Sequence, residues 1–123
     1  MREILFRGKD IANNWHYGVP LVFTEDYVCM TAPHTYNKAV IPESISEFTG
    51  LTDKNGKKIF EWDIVRYGDT VHKVVFEQRN GTAYFGLVYN ELETLPFGHY
   101  QDLRQIEVIG NIHDNPELLK GGE

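Results

Sequence analysis

Val71-His72-Lys73-Val74-Val75-Phe76-Glu77-Gln78-Arg79-Asn80-Gly81-Thr82-Ala83-Tyr84-Phe85-Gly86-Leu87-Val88-Tyr89 is the stretch that decides the fold class. Residues 71–77 are rich in β-branched and aromatic side chains, with Val74-Val75-Phe76 at their centre, and such side chains fit a pleated, half-buried surface. Asn80-Gly81 accepts the two positive φ values of a type I′ hairpin turn. Residues 83–89 then form the return strand. A period of two places Ala83, Phe85, Leu87 and Tyr89 on one face and Tyr84, Gly86 and Val88 on the other.

Further strands are read outward from this hairpin. Upstream, Ile59-Phe60 and residues 64–67 are strand-like, and Gly68-Asp69 turns the chain into the hairpin. Downstream, Leu95-Pro96-Phe97-Gly98 reads as a loop. Residues 106–111 form a last strand, with Ile106 and Val108 on one side and Glu107 and Ile109 on the other. Asp114 or Asn115 can cap a final helical turn, with Pro116 at its first position and Glu117-Leu118-Leu119-Lys120 after it. Residues 121–123 read as a frayed tail.

The first half is less regular. Ile4 and Phe6 alternate with Glu3, Leu5 and Arg7 as a short strand, and residues 8–14 are turn-like. Residues 15–17 make a second short strand. Residues 21–23 and 27–31 form a hairpin around Thr24-Glu25-Asp26. Pro33 and Pro42 argue against a long strand through Ala39-Val40-Ile41. Residues 44–48 fit either one helical turn, with Ser44 as N-cap and Glu47 three residues on, or an extended segment. Many short strands with close turn signals predict a small barrel or a pair of packed sheets.

Composition bounds the function classes. The chain has 123 residues, enough for one domain with its own core, and 41% of them are hydrophobic. The net charge of −6 repels phosphate backbones on average and disfavours nonspecific nucleic-acid binding. A single cysteine, Cys29, permits no intrachain disulfide and suits a reducing compartment; its apolar neighbours Val28 and Met30 predict a buried, inert thiol. No apolar run approaches the ~20 residues that span a bilayer, and no secretory leader is evident. The expected location is the cytoplasm.

Asp53-Lys54-Asn55-Gly56 has the letters of a calcium loop, but the spacing excludes one. With Gly56 at loop position six, positions one and twelve fall on Leu51 and Trp62, which offer no side-chain oxygen. A β-turn with Asn-Gly at its tip accounts for the same letters. The five histidines, His16, His34, His72, His99 and His113, have no metal-ligand spacing. No nucleophile elbow, phosphate loop or dinucleotide fingerprint is present. No cofactor, metal site or catalytic constellation is therefore expected.

Thr49-Gly50-Leu51-Thr52-Asp53-Lys54-Asn55-Gly56-Lys57-Lys58-Ile59-Phe60-Glu61, continued by Trp62-Asp63-Ile64-Val65, resembles the signature of the YopX-like family of phage and prophage proteins. Residues 2–7 resemble the family's opening strand, and residues 107–119 its closing segment. The resemblance implies an all-β fold with a small SH3-like barrel and additional N-terminal strands, a single YopX-like domain over residues 1–120, and a bacterial host. It implies no activity. One letter departs: the family has Gly where this chain has Trp62. A bulky residue is costly at positive φ, so Trp62 is expected at negative φ, in a turn that is either rearranged or never needed glycine. Its ring either packs or anchors a partner.

The leading functional expectation is a noncatalytic accessory module that binds another macromolecule, such as a protein, or assembles with itself, since open strand edges need cover. The alternative is a nucleic-acid-binding barrel using Lys54, Lys57, Lys58, Trp62, Arg66 and Tyr67. A third reading is an enzyme with a nonlocal histidine–carboxylate site.

Overall fold

The computed structural model describes residues 4–31, 38–79, 81–90, 93–96 and 103–120. Asn80, Phe97, Gly98, His34, His99, the start of the predicted first strand and the predicted tail lie outside the described residues. The chain is all-β with short helical turns, and it divides into two compact units, Met1–Gly50 and Leu51–Glu123.

In the first unit, β1 (Phe6–Lys9), β2 (Trp15–Phe23), β3 (Val28–Thr31), β4 (Lys38–Val40) and β5 (Ser46–Thr52) are ordered β4-β3-β2-β1-β5. The two short strands predicted over 15–17 and 21–23 are one strand, which absorbs Gly18 and Pro20 through a register shift between Pro20 and Val22. Residues 44–48 take the extended alternative: a 3₁₀ turn covers Pro42–Ser44 and β5 starts at Ser46. That turn is tied to β1, where the Ser44 hydroxyl accepts the Lys9 N–H at 2.7 Å and the Ile41 N–H donates to the Lys9 carbonyl at 2.8 Å. Val28, Met30 and Val40 form this unit's core, with Phe6 and Ile45 against it. Gly8 is required there, because a Cβ on it would lie 2.7 Å from Val40 Cγ2 and 2.9 Å from Met30 Sδ. Cys29 is half-buried rather than fully buried, since it alternates with the two core residues that flank it.

β5 runs on into the second unit and neighbours β6 (Lys58–Phe60). The other strands are β7 (Asp63–Tyr67), β8 (Thr70–Arg79), β9 (Thr82–Asn90), β10 (Glu93–Pro96) and β11 (Ile106–Asn111), in the order β10-β9-β8-β7-β11. β10–β9, β9–β8, β8–β7 and β7–β11 all pair antiparallel, and the described strands close no barrel. The β8–β9 hairpin has the predicted register: Arg79 pairs with Thr82 across a two-residue loop, and Gly81 has φ +81°. Leu95-Pro96, read as loop, instead belongs to β10, an edge strand on which a proline's missing N–H costs no ladder bond. Ile59, Val65, Val74, Leu87 and Ile106 make the core of this unit. A short helix, α1 (Glu117–Lys120), follows Pro116, and the Leu118 N–H donates to the Asn115 carbonyl at 3.1 Å.

Candidate binding surfaces

The turn between β5 and β6 is built on one carboxylate. Asp53 Oδ1 accepts the N–H groups of Asn55 (2.8 Å) and Lys57 (2.9 Å), and Oδ2 accepts the N–H of Val108 on β11 (2.9 Å). Burial pushes the carboxyl's pKa up. The three backbone donors, from Val108, Lys57 and Asn55, together with the Lys57 charge, outweigh burial and hold it below the usual carboxylate value. The Gly56 N–H donates to the Asp53 carbonyl at 3.0 Å, so Lys54 and Asn55 form the tip. Gly56 follows at φ +82°, as in a three-residue hairpin loop closed by a left-handed glycine. The turn's tip thus sits one residue earlier than the Asn-Gly dipeptide implied.

Because Asp53 and the Lys54 N–H, which donates to the Ile106 carbonyl at 2.9 Å, fix this turn against β11, Lys54 is brought beside the β7–β11 ladder. Arg66 and Glu107 are directly opposed in that ladder. Lys54, Arg66, Gly68, Arg104, Gln105 and Glu107 line an open cleft of ≈ 300 Å³. Lys54 Nζ and Arg66 Nη1 both lie 3.8 Å from Glu107 Oε1, within ion-pair range but beyond hydrogen-bonding distance. The Arg66 side chain is 53% exposed.

The other sequence-predicted residues do not join this cleft. Lys57 and Lys58 are exposed and lie outside its lining. Tyr67 is half-buried and packs against the core of the second unit, as its alternation with Val65 requires. Sequence reading missed Arg104, Gln105 and Glu107, which are some forty residues from Arg66 in the chain and adjacent only through the β7–β11 register.

Trp62 overturns the expectation of negative φ: it has φ +72°. Its N–H donates to the Val74 carbonyl (2.8 Å), its carbonyl accepts the Ile112 N–H (3.0 Å), and Asp63 Oδ2 accepts the Phe60 N–H (2.8 Å) across the turn. These bonds over-determine a backbone that glycine would adopt freely, so the turn keeps a left-handed conformation under a bulky side chain. The half-buried ring lies under Lys73, whose Nζ is 5.7 Å from the ring centroid, within cation–π range. Trp62→Gly is expected to be more stable than Trp62→Ala by about 1 kcal/mol, because both lose the ring and only glycine loses the left-handed strain. Urea denaturation of the pair checks this; alanine equal to or above glycine would contradict it.

Two histidines are placed structurally. His16 Nε2 is 2.7 Å from Asp10 Oδ2 in the β1–β2 connection, where Asp10 Oδ1 also accepts the N–H groups of Ala12 and Asn14. The His16 hydrogen bond, then the Asn14 N–H, lower the Asp10 pKa to about 2 against a small opposing effect of burial. His72 is buried, with Nδ1 3.0 Å from the Val88 carbonyl and Nε2 2.7 Å from the Thr70 hydroxyl. Among the described residues no three His, Cys, Asp or Glu side chains gather as a metal site.

The β2–β3 hairpin of the first unit carries a second surface. Tyr17, Val19, Leu21, Val22, Phe23 and Tyr27 are exposed, with Leu21 at 58% and Phe23 at 69%. The register of β2 with β1 ends at Gly18, opposite Phe6, whereas its pairing with β3 runs on to Phe23. The stretch Tyr17–Phe23 carries no charge.

The crystal structure of protein EF1440 from Enterococcus faecalis is similar to this chain, with a TM-score of 0.57 and 27% sequence identity over 97% of this chain and 99% of that one. No curated protein matches. The family model described as YopX protein matches residues 6–120, nearly the whole length, and the chain therefore belongs to the YopX family.

Proposed function

We propose that the chain is a noncatalytic accessory module of a phage or prophage, acting in the cytoplasm of the bacterial host by binding a macromolecule, and that its first partner is a second copy of itself. The observation that carries this is the uncharged, solvent-facing apolar run on β2. Large side chains such as Leu21 and Phe23 gain when they leave water, and aromatic and aliphatic groups clustered this way form the centres of protein interfaces. A charge-free patch also lets two copies with net charge −6 approach without local repulsion. Pro20 removes a donor from the strand edge, so side-chain packing across a two-fold axis is favoured over strand addition. The phage setting comes from the family resemblance.

Sedimentation analysis tests this. The wild-type chain is expected to form a dimer or larger species, and the double variant Leu21→Ser, Phe23→Ser to sediment as a monomer with an unchanged far-UV spectrum. A wild-type chain that stays monomeric at every accessible concentration would remove self-assembly.

A further inference from the structure

We propose that the cleft between the β5–β6 turn and the β7–β11 ladder is a binding site for a phosphate monoester. Among the described residues, Lys54, Arg66 and Arg104 line it with one carboxylate, Glu107, a local cluster of cations on a chain whose overall charge is −6. Lys54 and Arg66 each approach a single oxygen of Glu107 at 3.8 Å. Such approaches hold the side chains near each other without engaging their N–H donors, and a phosphate oxygen brought between them would do so. The guanidinium of Arg66 presents a planar fork suited to two phosphate oxygens, and Lys54 adds a point charge.

The frame behind these side chains is fixed before any ligand arrives. Asp53 clamps the Lys54 turn to Val108, the Lys54 N–H is bonded to Ile106, and Arg66 and Glu107 are paired across two strands. Gly68, at φ +62° with open space around it, keeps one wall low. Preorganised donors lose little on binding.

Charge and shape select the ligand class. A phosphate monoester carries about −1.5 to −2 at neutral pH in one compact group that a local cluster of cations suits, whereas a phosphodiester carries −1 per residue and needs cations along a track. The exposed Lys57 and Lys58, which could have begun such a track, lie outside the cleft. The monoester can come from a free phosphorylated metabolite or from the 5′-phosphorylated end of a nucleic-acid strand.

The test uses the full chain at low salt, with backbone amide NMR and titration calorimetry. Probes are phenyl phosphate, adenosine monophosphate, and one single-stranded oligonucleotide with either a 5′-phosphate or a 5′-hydroxyl. Phenyl phosphate and the mononucleotide are expected to shift the Gly68, Gln105 and Glu107 amides, and the 5′-hydroxyl strand to bind at least about tenfold more weakly than the 5′-phosphorylated one. Arg66→Ala is expected to weaken phosphate binding about tenfold. Glu107→Gln, which removes the competing carboxylate, is expected to tighten it about threefold to tenfold. A phosphorylated strand that outbinds the mononucleotide assigns the site to strand ends; equal affinity assigns it to the free metabolite. Absence of amide shifts with every phosphate probe, equal affinity for the two strands, or indifference to both substitutions would overturn the proposal. None of these readouts depends on self-association through β2.

Discussion

Asp53→Ala is expected to lower the unfolding free energy by about 3–5 kcal/mol, because it strands three backbone N–H groups that one buried carboxylate now satisfies. Asp53 is 7% exposed, and its two oxygens join a tight turn to a strand fifty-five residues away, so the substitution unlatches β11 as well as the turn. Asp53→Asn is expected to cost less, about 2–3 kcal/mol, since the amide keeps one acceptor but loses the charge and points its NH₂ group at a donor. The pH dependence has a defined sign. The folded carboxyl titrates below its ordinary value of 3.8, so the unfolded chain takes up the proton more readily. The stabilisation is complete above that value and is lost as the pH falls through it towards the depressed folded pKa. Urea titrations at neutral pH and near pH 3 should therefore show the gap between wild type and Asp53→Asn shrinking in acid. A gap that widens would contradict the hydrogen-bonding role assigned to the ionised form.

Leu87→Ala is expected to cost about 2–5 kcal/mol, the range for a leucine truncated inside a closed core. Leu87 is 0% exposed and packs with Ile59, Val65, Val74 and Ile106, contributed by four other strands, which limits how far the site can collapse into the cavity. Phe76→Ala on the same hairpin is the contrast. Phe76 is 42% exposed and meets Phe85 edge-on at 5.1 Å, so its truncation is expected to cost only about 1 kcal/mol. Equal losses at the two positions would mean that the hairpin buries more of its outer part than the structure shows.

The sequence by itself determined the hairpin of β8 and β9, its two-residue loop and its register, because alternation and turn chemistry are local and act together over nineteen residues. It determined the all-β class, the strands β6, β7 and β11, and the family. It separated Tyr67 from Arg66 in principle, since adjacent residues on a strand face opposite ways, although both appeared in one candidate surface. The tertiary structure alone decided the rest. Residues 15–23 became one strand because β1 pairs with it as far as Gly18, β3 pairs with it from Val19 to Phe23, and a register shift after Pro20 absorbs the misfit, which no local signal announces. Trp62 took a left-handed backbone because Val74 and Ile112 hold both its peptide groups, and tertiary bonds of that kind outweigh about 1 kcal/mol of intrinsic preference. The cationic cleft exists because strand register sets Glu107 opposite Arg66 and Asp53 ties Lys54 to β11. These residues converge through long-range pairing, and their spacing along the chain holds no trace of it.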